Sequence, residues 1–383
     1  MANTNVTAIG RINSTNATPL SLDTAYDTKY GTYLKLFSGE MFKGFQTNTI
    51  ARDLVTKRTL KNGRSLQFIY TGRTTAEYHV PGEPILGTAN AIPVAEKTIQ
   101  MDDLLISSAF VYELDETLAH YELRGEIAKK IGFALAEKYD RLIFRSITRG
   151  ARAAHPVSAT NKVEPGGTQI RVGTNAAGSD AYAATSLINA FYDAAAALDE
   201  KGVSSQGRVA VLNPRQYYEL IQQVGENGLV NRDVQGDSLQ SGKGVVSIAG
   251  ITIHKSMNIP FFSQYGTKYG TASATNPGVT DPGNTGSHVG DNSALEDGGG
   301  VNGMNNNYGE QNAFDKSCGL IFKKEAAGVV EAIGPQVQVT NGDVSIMYQG
   351  DIILGRLAMG ADYLNPAACV ELFAGTATKP AAW

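Results

Sequence analysis

The sequence predicts an α+β fold. Short stretches of two-residue alternation stand apart from one long stretch of helical periodicity, and a strand–turn–helix unit follows them. In SLQFIY, Leu66, Phe68 and Tyr70 alternate with Gln67 and Ile69. In ETLAHYELRGEIAKKIGFALAEKYDRLIFRSI, Leu123, Ile127, Ile131, Leu135 and Leu142 fall on one side. In RVAVLNPRQYYELIQQV, an apolar strand turns at Asn213 and Pro214 into a helix with proline at its first position.

Taken in order, residues 1 to 24 are rich in Asn, Thr, Ser and Ala, with almost no charge. They hold too few large apolar groups to offset the entropy of ordering, so they read as an arm. In TYLKLFSGEMFKGFQ, Leu34, Phe37, Met41 and Phe45 recur at helical spacing and predict one short amphipathic helix. From Leu54 to Tyr70 the pattern becomes β-like, and KTIQMDDLLISSAFVYEL supplies a second run. Between the two lie FIYTGRTTAEYHVPGEPI and GTANAIP. Pro81, Gly82, Pro84, Gly87 and Pro93 exclude helix there, and the length exceeds a tight hairpin, so an extended, projecting loop is expected.

The long helix is predicted from near Asp115 over about 20 to 30 residues. Glu126 with Lys130 and Glu137 with Arg141 form i,i+4 pairs opposite its apolar stripe, worth ~0.2–0.5 kcal/mol each, while Gly125 and Gly132 lower its propensity. After a polar segment at 150 to 178, SDAYAATSLINAFYDAAAALDEKG predicts a second helix. Ser179 or Asp180 would cap it, Ile188, Phe191, Ala195 and Leu198 would be buried, and Gly202 would stop it. VVSIAGITIHKSM reads as a strand pair. Residues 263 to 313 form a Gly/Asn/Asp-rich insertion with Lys268 against Asp281, Asp291, Glu296, Asp297 and Glu310, too poor in apolar groups to be core. β-patterning returns in LIFKKEAAGVVEAIGPQVQV and DIILGRLAMGADYL, with a turn at Asn341 and Gly342 between two long strands, and ACVELF adds a last strand.

Composition narrows the function. With 33 Lys+Arg against 37 Asp+Glu, the net charge of −4 offers no basic excess for neutralising phosphates, which disfavours tight nucleic-acid binding. Cys318 and Cys369 lack CxxC spacing and read as small apolar groups in a reducing compartment. The first residues lack the basic start and apolar run of a secretory signal, and no run of about 18 apolar residues follows, so a soluble chain without membrane contact is expected.

The motifs that could carry chemistry are weak. GGGVNG at Gly298 to Gly303 matches GxGxxG in letters, but no strand precedes it and no helix opens after it to meet a pyrophosphate. GSHVG at Gly286 to Gly290 lacks the central serine of a nucleophile elbow. The insertion's carboxylates lack the order of a calcium loop. His79, His120, His155, His254 and His288 are scattered, without HExxH. Catalytic, cofactor and metal residues are therefore expected to be none.

The projecting stretch itself gathers Arg73, Glu77, His79 and Glu83. Acid–base work would need them held to sub-ångström tolerance and shielded from water, which a Pro/Gly-rich projecting loop does not provide. Its charge pattern fits docking better. Lys57, Arg58, Lys61, Arg64 and Arg73 occur with no acidic residue from Leu54 to Ala76, whereas Glu77, Glu83, Glu96, Asp102 and Asp103 come after. Complementary sign along one projection suits registration against another copy of the chain.

Several stretches together, YLKLFSGEMFKGF, GRTTAEYHVPGE, LAHYELRGEIAKKIGFALA, GRVAVLNPRQYYELI, GLIFKKEAAGVVE and IILGRLAMGADYLNPAACVEL, resemble the HK97-like major capsid proteins of tailed bacteriophages. The likeness is greatest to the T7-like podoviruses and their marine cyanophage relatives. It spans about residues 30 to 374, with the arm and the 263 to 313 insertion departing from it. The resemblance implies an N-terminal arm at 1–50 and an E-loop at 51–106. It implies a P-domain whose first part, with the spine helix, is 107–178 and whose return strands are 324–363. It further implies an A-domain at 179–323 completed by the final strand and C-terminus at 364–383.

The same resemblance implies hexamers and pentamers of this chain closing an icosahedral shell, assembled in the host cytoplasm. The implied partners are a scaffolding protein, a portal protein at one vertex and packaged double-stranded DNA met non-specifically on the inner face. An encapsulin-like nanocompartment shell protein and a soluble hydrolase are the alternative readings. Electrostatic docking predicts that reversing both Arg64 and Arg73 to Glu leaves the subunit folded and impairs assembly; particle yield in a gradient measures this, and an unchanged yield removes the electrostatic account.

Overall fold

The computed structural model describes residues 50–72, 76, 78–82, 92–102, 104–112, 123–156, 164–174, 179–222, 247–256, 258–259, 317–339 and 348–374. The predicted arm, the short helix around Leu34 to Phe45, the start of the long helix near Asp115, the 263 to 313 insertion and the turn at Asn341 and Gly342 lie outside them. In chain order the elements are α1 (Ala51–Leu54), β1 (Thr56–Thr59), β2 (Ser65–Thr71), β3 (Val94–Gln100), β4 (Leu105–Tyr112), α2 (Leu123–Arg152) and β5 (Thr168–Arg171). Then come α3 (Ala184–Glu200), β6 (Arg208–Leu212), α4 (Pro214–Gln222), β7 (Ser247–Ile248), β8 (Ile251–Lys255), β9 (Ser317–Lys323), β10 (Ala327–Val339), β11 (Gly350–Tyr363) and β12 (Cys369–Phe373).

The chain forms two compact units. Of the described residues, the smaller takes those within Leu104–Glu137 and Ile333–Ala358, and the larger takes those within Thr49–Asp103, Lys138–Ala332 and Met359–Trp383. In the smaller unit β4 pairs antiparallel with β11, from Gly350 opposite Tyr112 to Leu357 opposite Leu105. Val111, Ile131, Leu135 and Ile353 close its core, with Leu105, Ala109 and Ile127 packed against them. Gly355 lets α2 approach: a Cβ there would collide with Ile131 and Leu135. The predicted stripe thus holds at Ile127, Ile131 and Leu135, while Leu123 lies in the helix with its side chain outside the description.

The larger unit holds a six-stranded mixed sheet in the order β5-β12-β9-β6-β8-β7. RVAVL is its central β6, buried because it runs between antiparallel β9 and parallel β8. Pro214 starts α4 directly after it, as its fixed φ and missing N–H favour. Ala249 and Gly250, both at positive φ, make the tight turn of the β7–β8 hairpin.

Three local expectations are corrected. KTIQMDDLLISSAFVYEL is two strands rather than one: β3 pairs with β2 and β4 with β11, and the break falls where the Met101 and Asp102 N–H groups donate to the carbonyls of Arg64 and Met359. The second helix starts at Ala184, not after a cap at Ser179 or Asp180, which lie in a 3-10 turn where Asp180 instead accepts from the Thr174 N–H. Its buried stripe is Leu187, Ala190, Phe191, Ala194 and Leu198, so Ile188 and Ala195 are only half-buried. Gly202 does end it, at φ +75.

The predicted amphipathic character of α2 also stops short. Residues Tyr139 to Thr148 are buried on every side, Leu142 and Arg141 among them, so Arg141 is not on a solvent face opposite the stripe. Two hydroxyls of this segment find carbonyls: that of Thr148 donates to Phe144 within the helix, and that of Ser146 to Leu142 within it and to Ala361 of β11.

The end of α2 is keyed to the sheet by a bidentate pair. Arg152 donates Nε to Glu371 Oε2 at 2.8 Å and Nη2 to Oε1 at 2.6 Å, with both side chains almost wholly buried. Gln169 of β5 and the Ser317 hydroxyl of β9 donate to the same carboxylate, at 3.0 and 2.5 Å. Close packing reinforces the joint, since a Cβ on Gly150 would come within 2.8 Å of Cys369 Sγ and Tyr363 Cβ. Glu371→Gln strands a buried guanidinium beside a neutral amide. The expected loss in denaturant unfolding of the subunit is about 3–5 kcal/mol, and a loss under about 1 kcal/mol contradicts this account.

Candidate functional site

The projecting hairpin β2–β3 is built by strict alternation. Its antiparallel register sets Leu66 opposite Ile99, Phe68 opposite Lys97 and Tyr70 opposite Ala95 on one face. That face turns inward: Ile99 is wholly buried, and Leu66, Phe68 and Tyr70 are half-buried. Lys97 closes it onto the end of β11, with Nζ 2.8 Å from Asp362 Oδ2 and 3.7 Å from the centre of the Tyr363 ring. Burial, with Tyr363 and Asp362 nearby, pushes the Tyr70 phenol well above its usual range, so it stays neutral.

The other face is turned out and is apolar. Ile69 is 70% exposed and Val94 60%, and Ile92, Val80 and Tyr78 continue the exposed apolar surface along the loop. Exposed apolar groups gathered on one hairpin make it the candidate contact surface.

The base of the hairpin is held by two carboxylates. Glu331 of β10, 4% exposed, accepts from Arg52 Nε and Nη2 at 3.3 Å each, pairs with Lys57 Nζ at 2.9 Å and accepts from the Tyr139 hydroxyl at 2.7 Å. Burial alone would raise the Glu331 pKa; the bonds from Lys57, Tyr139 and Arg52 outweigh it and hold the carboxyl below its ordinary value. Parallel pairing of β1 with β10, Thr56 opposite Gly328 through Thr59 opposite Glu331, brings these groups together. The second carboxylate, Asp140 of α2, accepts from the backbone N–H groups of Ile50 and Ala51.

The predicted contact residues separate on this frame. Lys57 is engaged with Glu331 inside the subunit. Arg58 lies over the Phe68 ring at 5.5 Å, and Arg58, Lys61, Arg64 and His79 are exposed. Glu96 is exposed on the outward face beside Ile69. Arg73, Glu77 and Glu83 lie outside the described residues. Sequence reasoning missed Glu331, Asp140 and Asp362. The available signal was a lone Glu in the apolar run AGVVEAI and an Asp inside a helix segment otherwise rich in large side chains, since a buried charge must have partners.

Among the described residues no group of three His, Cys, Asp or Glu is placed to hold a metal ion, and no helix is long and apolar enough to cross a membrane. Cys318 and Cys369 are buried free thiols whose pKa values burial pushes up, so they stay protonated.

The described fold is a mixed sheet keyed to a long helix, with a hairpin whose one face is held to its own subunit and whose other face is exposed and apolar. The chain belongs to the Gp10A-like major capsid protein family, whose model matches residues 67–373. The major capsid protein of Escherichia phage T7 is 26% identical over 349 residues, covering 89% of this chain and 91% of the relative. That of Enterobacteria phage T3 is 30% identical over 119 residues, 31% of this chain and 34% of the relative. The capsid structure of the cyanophage P-SCSP1u superposes with a TM-score of 0.65 at 29% identity, covering 94% of this chain and 98% of that one. The mature capsid of bacteriophage PhiM1, at 15% identity and a TM-score of 0.61, shares the fold. The chain is a phage major capsid protein with the HK97-like fold, a component of the virion shell.

Glu331→Gln weakens the base of the hairpin. Because the Glu331 pKa is depressed on folding, its contribution is present above the ordinary carboxylate range and lost as pH falls through the folded value. The variant is expected to be about 1–3 kcal/mol less stable at neutral pH, with the gap to the parent chain closing in acid. A gap constant with pH in paired urea titrations contradicts this.

Proposed function

We propose that this subunit assembles into hexamers and pentamers of an icosahedral shell around double-stranded DNA, with its hairpin lying on a neighbouring copy. The carrying observation is the outward apolar face at Ile69 and Val94, opposite an inner face fixed by Lys97 and Asp362. One face anchors the projection; the other is left for a partner. Arg58, Lys61, Arg64, Arg73, Glu77, His79 and Glu83 would surround that contact and set its register, while Lys57 serves the subunit's own fold. Desolvating the hairpin face, repeated at every contact of a shell, supplies stability through many modest interfaces of ~1,200–2,000 Å² rather than one large one.

In this reading the parts are those the sequence resemblance gave: arm 1–50, E-loop 51–106, P-domain 107–178 with 324–363, and A-domain 179–323 with 364–383. Leu123, Ile127, Ile131, Leu135 and Leu142 serve the spine of the P-domain. Assembly would use a scaffolding protein and a portal protein, and the net negative subunit suits a wall that does not grip DNA as it is packed. The work is structural and needs no catalytic residue. Ile69→Asp with Val94→Asp, both at exposed positions, is expected to leave circular dichroism and unfolding of the subunit unchanged and to cut particle yield in a gradient by about tenfold or more. Undiminished particles remove the hairpin from the interface, and small uniform cages formed without scaffold would favour the nanocompartment instead.

A further inference from the structure

Among the described residues, the groups that bond the Asp140 carboxylate are all neutral. It is wholly buried in the middle of α2, and three neutral donors reach it: the Ile50 N–H at 2.9 Å, the Ala51 N–H at 3.2 Å and the Asn258 side-chain amide at 3.4 Å. Two of these belong to the start of α1, whose N-cap residue Ile50 makes no side-chain cap of its own, so Asp140 caps that helix from ninety positions away. The contact precedes the hairpin in the chain, with Ala51 and Val55 buried beside it.

The charged groups on the surrounding elements include Arg52 and Asp53 of α1, Lys57 and Arg58 of β1, Glu331 of β10, Glu137, Lys138, Arg141 and the wholly buried Arg145 of α2, and His254 and Lys255 of β8. Arg52 and Lys57 are drawn to Glu331, Arg58 to the Phe68 ring and Lys255 to the Tyr218 hydroxyl. The influences on the Asp140 carboxyl are its burial and the bonds from Ile50, Ala51 and Asn258, with no charged group among them.

We propose that Asp140 is a proton-operated clasp on the chain at Ile50 and Ala51, which closes more firmly when its carboxyl takes up a proton and loosens when it is charged. The physical reason is that closing the clasp buries the carboxyl. A buried charge solvated only by neutral amides favours the open, hydrated arrangement, whereas the neutral acid does not. In agreement, burial pushes the pKa of Asp140 up to about 6, against the opposing bonds from Ile50, Ala51 and Asn258. The sign follows from linkage: the closed form binds the proton more tightly, so its advantage is largest in acid and is lost as pH rises through about 6. This property belongs to the single subunit and does not rest on shell assembly.

Hydrogen exchange of the full-length, unassembled chain tests it, read as protection of a peptide over residues 49–56 after correction for intrinsic rates, with a β9 peptide as control. Protection is expected to be about tenfold higher at about pH 5 than at about pH 8, with the control unchanged, and Asp140→Asn is expected to abolish the difference. A profile flat in the parent chain, or a rise that survives in Asp140→Asn, overturns the proposal. Should Asp140→Asn not fold, Asn258→Ala removes a donor that favours the charged form, so the midpoint should move to higher pH; an unmoved midpoint overturns the proposal as well.

Discussion

The paired burial of Arg152 and Glu371 is the constraint on which the rest of the larger unit depends. An arginine at the last turn of α2 and a glutamate in the centre of β12 are each too costly to bury alone, so neither element can settle until both are present. Because Gln169 and Ser317 complete the same carboxylate, the pair also fixes where β5 and β9 lie against β12. The helix end, the edge strand and two inner strands are thereby located by one charge. Apolar burial around Phe144, Phe322 and Phe373 supplies the larger share of stability. It does not specify register, however, and the ion pair does.

The same logic recurs at the hairpin with a different outcome. Glu331 gathers Arg52, Lys57 and Tyr139, and Asp362 gathers Lys97, so basic groups near the hairpin are partly consumed in holding it to its own subunit. What remains outward is apolar at the centre, with charge around it. That arrangement separates two duties that the sequence mixes: internal pairing holds the hairpin to its own subunit, and the exposed face is the one proposed for contact with a neighbour. In a family of shell-forming proteins, a contact module must be rigid before it meets its neighbour, or each contact carries an added entropic cost.

Much of the fold was legible in the residues. SLQFIY, RVAVL, the strand pair around Ile248 and Ile251, and ACVELF announce their strands by alternation or by apolar runs, and Pro214 and Gly202 mark a helix start and stop. The failures share a cause. Arg141, the stripe of α3 and the split of KTIQMDDLLISSAFVYEL are all decided by which surface an element meets, and periodicity along one segment carries no information about its partner. For the candidate site, the charge pattern drew attention to the hairpin but could not tell Lys57, which faces Glu331, from Arg58, which lies over Phe68. That distinction requires parallel pairing between stretches some 270 residues apart, and the local sequence does not encode it.

The distance along the chain between Arg52 and Glu331, 279 positions, also bears on how the molecule is made. At a ribosomal rate of about 5–20 residues per second, the base of the hairpin waits roughly 15 to 55 s for the carboxylate that completes it. Until then β1 has no β10 to pair with, and the apolar surface at Ile69 and Val94 is not presented in its finished pose. Closure of this carboxylate cluster is therefore among the last steps in forming the larger unit, and the strand edge of β1 stays unpaired for most of synthesis.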